Sequence, residues 1–494
     1  MKRIWVGCAA LVLAAGLAYA GGQAETGRES AVELVEQGSF VASTYLDLES
    51  ILDDYAFPYE AGDDEVLSVY LDVEKPLCAE WGSSTMLQVS LISAGEEHFR
   101  EAPLHYVVFP YSAALFDDSE LEAALERSLG ALLSQKASRQ TIWMFLRRDR
   151  ELVEITAAGQ IRGLLERAER QRGSGSGEEA LLGLINAERD LRAALEAGRR
   201  LADERPTKYL WILDKPVAGS EGELEELSST IAGFGRSDTE ISYLGHGPEF
   251  RPQTVNTLMK RFGGNSYYVT DAADLADTIE RDFAYYRRPA ISDLRIAVHS
   301  LGALPAQQPV REYTQVTMGP DEHHLFLVPF NVPARLSYAK SRLGVLGEYE
   351  ADAVREELDR TDSYPLAYVT VSYYDHGRER MVYGHEEARV RYTTDYEAAM
   401  EGQNAHVARN LTILDTYRLF QEVSFQLQSG NYIDPLMSLN DQAGRLARLN
   451  AAEADELVAE DIELIEQYKA IIVENRDNPL RGIKTWSEIR RRAY

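Results

Sequence analysis

Between residues 104 and 286 the chain alternates short apolar runs with amphipathic stretches, and this alternation limits the architectures open to it. Leu104-His105-Tyr106-Val107-Val108-Phe109 reads as a buried strand, and so do residues 141–146, 209–213, 240–244 and 266–269. Residues 118–136 repeat Leu121, Leu125, Leu129 and Leu132 on one helical face. Further helical patterns cover 161–171, 178–202, 223–232, 252–262 and 272–285, and residues 152–155 lie close enough to strand 141–146 to be its hairpin partner. Strands that are apolar throughout need cover on both faces, and helices between successive strands supply it. The expectation is an α/β fold, doubly wound and Rossmann-like, with its ligand site at the carboxyl ends of the strands.

The flanks read differently. Two strand-like runs at 66–73 and 85–93 form a small antiparallel flank, and residues 289–395 turn strand-rich again at 293–300, 312–318, 324–329, 366–374 and 388–392. From Tyr396 onward the pattern is helical, with Leu411, Leu414, Tyr417, Phe420 and Val423 in one stripe and further helices near 435–449 and 453–473. These pack as antiparallel neighbours. Such a stripe is usually core, though helix pairs also serve as peptide-binding repeats. The chain therefore divides into 1–20, a signal peptide; 21–62, an acidic leader with a helix near 46–55; 63–100, a β flank; 101–288, the α/β domain; 289–395, a β-rich domain; and 396–494, a helical region.

The N-terminus carries an address. Lys2 and Arg3 precede an apolar run that ends in Ala18-Tyr19-Ala20, followed by Gly21-Gly22. A basic start, a short apolar core and a small-x-small exit are what a secretory signal needs. An uncleaved anchor and lipidation at Cys8 are the alternatives, but most of the apolar core lies after Cys8. Cleavage after Ala20 removes two positive charges and takes the formal charge from −29 to −31. An exported periplasmic or extracellular chain follows, with Cys78 as its one remaining thiol and no integral membrane segment. That charge argues against nucleic acid as a partner, and the cysteine count excludes a disulfide scaffold and an iron–sulfur cluster.

At this point a family resemblance becomes visible. The order of elements, with Phe262-Gly263-Gly264-Asn265-Ser266-Tyr267-Tyr268-Val269 and the helix after it, resembles von Willebrand factor type A (VWA) domains of exported bacterial proteins over roughly residues 60–300. The resemblance implies a metal-ion-dependent adhesion site. In such a site three strand-end loops hold Mg²⁺ and leave one position for a partner's carboxylate, a role suited to hard oxygen ligands. The first loop of the family reads D-x-S-x-S; here it is Pro110-Tyr111-Ser112-Ala113-Ala114, and only Ser112 survives. The second loop normally gives a threonine; here Gly173-Ser174-Gly175-Ser176-Gly177 offers Ser174 or Ser176. The third gives an aspartate after a strand, which Asp214 matches, followed by Lys215 where the family has glycine. Ser112, Ser176 and Asp214 are thus the candidate ligands of a degenerate site that has lost a carboxylate and a hydroxyl. Without a metal, Ser112 reads as a helix N-terminal hydroxyl and Asp214 as a strand-end turn residue.

Other chemistry is thin. The glycine–serine loop at 173–177 lacks the Lys-Ser/Thr ending of a phosphate-binding loop, and no G-x-S-x-G or H-E-x-x-H spacing occurs. His323-His324 reads as a solvent-facing strand pair, and His376 and His385 flank a turn at Gly377 across which they face one another. The pairs Tyr285-Tyr286 and Tyr373-Tyr374 read as surface-lining or as ordinary strand residues. Two functions stand. The first is an exported, non-enzymatic protein-interaction module without catalytic residues or cofactor. The second is a Mg²⁺-dependent adhesion or chaperone-like protein whose site is completed differently, through Ser176 and Glu178. In either, the partner is a protein.

Overall fold

The computed structural model describes residues 31–32, 35, 51–55, 58–62, 65–95, 101–112, 114–170, 177–201, 205–214, 221–234, 239–246, 255, 258, 264–269, 271–289, 291–300, 310–343, 351–428 and 432–475. The signal segment, most of the acidic leader and of helix 252–262, and Ser174, Ser176 and Lys215 lie outside the described residues.

The α/β domain is built on a six-stranded sheet. Its strands are β4 (Leu104–Pro110), β5 (Gln140–Leu146), β6 (Glu151–Glu154), β7 (Thr207–Leu213), β8 (Thr239–His246) and β9 (Ser266–Val269), in the order β6-β5-β4-β7-β8-β9. All neighbours are parallel except the β5–β6 hairpin. The strand order reverses between β4 and β7, so the chain leaves the sheet in opposite directions on either side of that pair. α2 (Ser119–Gln135) and α6 (Ala272–Arg287) cover one face, burying Leu125, Leu129, Ile279 and Phe283 against Tyr106 and Val108. α4 (Gly177–Gly198) and α5 (Glu221–Phe234) cover the other, with Leu191, Leu195 and Leu227 against Val107 and Phe109. Adjacent residues of β4 thus point into opposite cores, which is why the strand carries no polar–apolar alternation. The short α1 (Ala114–Asp117) and α3 (Ile161–Glu169) complete the domain.

The motif at 263–266 has a structural cause. Gly264 has φ +95°, and a Cβ there would stand 2.0 Å from the Ile241 carbonyl oxygen, so glycine lets the turn pass against β8. Asn265 is buried; its carbonyl accepts from the Tyr243 N–H at 2.7 Å and its amide donates to Asp282 Oδ1 at 3.1 Å. Asp282 on α6 also accepts from the Tyr106 hydroxyl at 2.6 Å, tying β4, β9 and α6 together.

The two β segments join. β1 (Leu67–Val73), β3 (Ser83–Ser93) and β12 (His323–Val332) form one antiparallel sheet, with Val89 opposite both Leu71 and Phe326. A second sheet runs β11 (Val310–Met318), β10 (Ile291–Ser300), β13 (Ser363–Asp375), β14 (Arg380–Thr393), β2 (Leu77–Ala79). Leu87, Val89 and Leu91 meet Ile296, Val298, Val369 and Val371 in the core between the sheets. The 63–100 flank and the segment after the α/β domain therefore build one sandwich, each contributing strands to both sheets. Two helices, α7 (Arg335–Arg342) and α8 (Ala351–Arg360), interrupt the strand-rich segment where only strands were expected.

α9 (Tyr396–Glu401), α10 (Ala405–Gln428), α11 (Ile433–Ala452) and α12 (Glu456–Glu474) form the helical region. The stripe Leu414, Tyr417, Phe420 and Val423 is core, together with Ile465, Tyr468 and Leu325 of β12, so this region packs on the outer side of the three-stranded sheet. Among the described residues no helix is long and apolar enough to cross a membrane.

Candidate functional site

In a sheet of this kind the crevice lies where strand order reverses. Here that is beyond the carboxyl ends of β4 and β7, with β8 alongside. Pro110 ends β4, and the Tyr111 N–H continues the ladder by donating to the Ile212 carbonyl at 3.1 Å. The chain then turns toward α1, which brings Ser112 under the crevice, 1% exposed. Asp214 follows β7 immediately and is also buried. Ser112 and Asp214 therefore stand at the ends of the neighbouring strands β4 and β7, and His246, the last residue of β8, reaches Ser112.

The three side chains are engaged with one another and with the backbone. Ser112 Oγ accepts from the Leu115 N–H at 3.0 Å and is hydrogen-bonded to His246 Nε2. The Ser112 hydroxyl is thus bonded on two sides, by a backbone N–H and by an imidazole nitrogen. Burial pushes the His246 imidazole below its usual range, while the Asp214 and Asp118 carboxylates pull the other way. Asp214 Oδ2 accepts from the Ala114 N–H at 2.9 Å. It thereby covers a first-turn donor of α1 from a neighbouring strand end. Both structural readings of these residues, helix N-terminal hydroxyl and strand-end carboxylate, hold at once.

Tyr111, just after β4, and Arg147, just after β5, lie against one another at the same end of the sheet. The Arg147 guanidinium lies 4.7 Å from the Tyr111 ring centroid and forms an ion pair with buried Asp190 of α4. Burial pushes the Tyr111 hydroxyl up to about 12, with Arg147 acting against it.

The donor set does not match an octahedral oxygen site for a hard divalent ion. Pro110 supplies no carboxylate and Ala114 no hydroxyl, while Ser112 and Asp214 already accept backbone N–H groups. Among the described residues no group of three or more His, Cys, Asp or Glu is placed to hold a metal ion. Ser176 lies outside the described residues, and Gly177 opens α4. The serine–histidine contact has only part of what nucleophilic catalysis needs. Ser112 is closed to solvent, and the nearby Ala114 and Leu115 N–H groups, which an oxyanion would need, are engaged.

Strand reasoning stopped β8 at residue 244 and so missed His246. Its signal was a polar residue two places beyond an apolar run, at the end where sites form. Elsewhere the histidines correct the sequence reading. His324 is not solvent-facing; it is buried and bonds Glu322 Oε1 at 2.9 Å. His376 and His385 do not face one another: His376 Nε2 is 3.0 Å from Ser292 Oγ, and His385 stacks on Tyr368. Tyr285, Tyr286 and Tyr373 are buried rather than surface-lining. Cys78 is a small core residue, its thiol pushed up by burial.

No protein-family model matches the sequence, and no curated protein matches it. Among solved structures, the chain is similar to VWA2, the ArnB paralog from Sulfolobus acidocaldarius, at 13% identity, covering 82% of this chain and 98% of that one with a TM-score of 0.46. It is also similar to a von Willebrand factor type A protein from Catenulispora acidiphila, at 11% identity, covering 84% and 91% with a TM-score of 0.49. The pilus adhesin SpaC from Lactobacillus rhamnosus GG, in its open conformation, matches at 8% identity over 67% of this chain and 48% of that one, with a TM-score of 0.28. These are likenesses of layout and give no residue a role.

Proposed function

We propose that this chain is an exported, non-enzymatic protein-interaction module built on a VWA-like α/β domain, and that its strand-end site recognises a protein partner without a metal ion. One observation carries the reading. The residues that would ligate a cation, Ser112 and Asp214, are held by Leu115, Ala114 and His246 instead. The imidazole links the loop after β4 to the end of β8, joining strand ends as a cation would. Because this network needs no ion, the rim is organised in advance, and binding does not carry the cost of ordering it. Export rests on the basic and apolar start of the sequence and places the acidic surface in the periplasm or outside the cell.

Calorimetry of the full chain with Mg²⁺ and Mn²⁺ tests the site directly. The expected result is no heat beyond dilution, and micromolar binding would overturn the metal-free reading. Capture of envelope proteins with and without EDTA tests the recognition step. The same partner should be retained in both, whereas loss with EDTA would favour the Mg²⁺-dependent alternative. Deleting residues 397–494 separates the two surfaces: capture that survives deletion assigns recognition to the α/β domain.

A further inference from the structure

A second surface lies on the β sandwich, away from the α/β crevice. Trp81, in the turn between β2 and β3, is 67% exposed, and Tyr396, which opens α9, is 54% exposed. Their rings lie 5.5 Å apart although more than three hundred residues separate them in sequence. Met400 follows one turn later on α9 and is also exposed. Tryptophan and tyrosine are the side chains that most often dominate interfaces, and a tryptophan left this open in a folded chain forfeits a large hydrophobic gain.

The backbone of the turn is held on both sides of Trp81. Gly82 has φ +87°, and a Cβ there would stand 2.4 Å from the Val332 carbonyl oxygen, so the turn is wedged against the end of β12. On the other side of Trp81, the Glu80 carbonyl accepts from the Arg335 N–H at 2.7 Å, and the Glu80 carboxylate pairs with the Arg335 guanidinium at 2.7 Å. That guanidinium also donates to the Thr361 and Leu358 carbonyls, so its N–H groups are engaged within the fold. α9 is capped by Asp395, whose carboxylate accepts from the Ala398 N–H at 3.0 Å. Both rings are thus presented from clamped backbone.

Carboxylates border the Tyr396 side of the pair, while Arg335, beside the Trp81 turn, is already paired with Glu80. Asp395 and Glu397 flank Tyr396 and are exposed, and Glu401 is exposed beside Met400. Electron-rich ring faces bordered by carboxylates attract a cation, and the ring quadrupole and the carboxylates act in the same direction. We infer that the Trp81–Tyr396 pair is a docking site for a protein segment that presents an arginine or lysine side chain. The cation stacks on the rings, the adjoining carboxylates take its N–H groups, and Met400 meets the aliphatic stem. This surface is independent of the α/β crevice and of whether that crevice binds a metal.

The test uses the full chain with indole ¹⁵N labelling, the Trp81 signal being identified by its loss in Trp81→Phe. The probe is a pentapeptide of alternating arginine and glycine at 150 mM salt, with the glutamate analogue as control. The Trp81 indole should shift with the arginine peptide and not with the glutamate peptide. Tyr396→Ala, an exposed change that leaves the core intact, should weaken the fitted affinity at least fivefold. An unmoved Trp81 signal would overturn the inference. So would equal shifts across all tryptophans, which would mean general accretion on an acidic surface, or an affinity unchanged by Tyr396→Ala.

Discussion

His376 makes the stability of this protein depend on pH in a way that can be worked out from its surroundings. It follows β13 directly, and its Nε2 is 3.0 Å from Ser292 Oγ on β10. Lys208, which enters the same region from β7, is ion-paired with Glu240, and Asp375 precedes His376. Burial lowers the imidazole to about 4, Lys208 adds to that, and Asp375 opposes it. In the unfolded chain the same group titrates near its ordinary value of about 6.5. Below that pH the unfolded state binds a proton that the folded state refuses, so stability falls as pH falls, and the loss is complete below about 4. The full difference has a ceiling of about 3 kcal/mol, of which about 2 kcal/mol has been lost by pH 5. Urea unfolding at pH 7 and pH 5, compared between the natural chain and His376→Gln, reads the effect. The glutamine keeps a polar group near Ser292 but does not titrate. The natural chain should lose about 2 kcal/mol more than the variant between the two pH values, on the same transition. Equal losses in both proteins would refute the reasoning.

Two further outcomes follow from the site and its scaffold. His246→Ala removes the partner of the Ser112 hydroxyl and empties an imidazole-sized volume, so it should cost about 2–3 kcal/mol in thermal or chemical unfolding. Ser112→Ala removes that bond and also the one from the Leu115 N–H, and the double variant should lose less than the sum of the two single changes because they share the Ser112–His246 bond. Gly264→Ala forces a Cβ against the Ile241 carbonyl at a positive φ and should destabilise the α/β domain by about 2–4 kcal/mol, measured as a shift in urea midpoint. A neutral result there would mean that the turn relaxes away from β8.

Much of the architecture was legible because it depends on local pattern. The apolar runs of β4, β7 and β8 have no alternation because both faces of their sheet are covered, and that absence is itself the signature of a doubly wound domain. The spacing of Leu125, Leu129 and Leu132 indicated one helix face, which packs on that sheet. The pairing of β3 with β12 was not legible, because the whole α/β domain is inserted between them and strand pattern says nothing about partners so far apart. α7 and α8 were hidden because their sequences are short and strongly polar, with few apolar residues to mark a helix face.

The candidate site divides in the same way. The residue types at the strand ends can be read directly along the chain: a proline where a carboxylate is needed, an alanine for a hydroxyl, and a lone serine and aspartate. That inventory weakens the case for a metal, since side chains absent from the sequence cannot be supplied by folding. The partners of the remaining side chains come from the folded arrangement of the strands. His246 reaches Ser112 because β8 lies beside β7 in the sheet, and Asp214 reaches Ala114 because strand order reverses between β4 and β7. Hydrogen bonds between residues a hundred or more positions apart are set by strand order, which no local sequence pattern encodes.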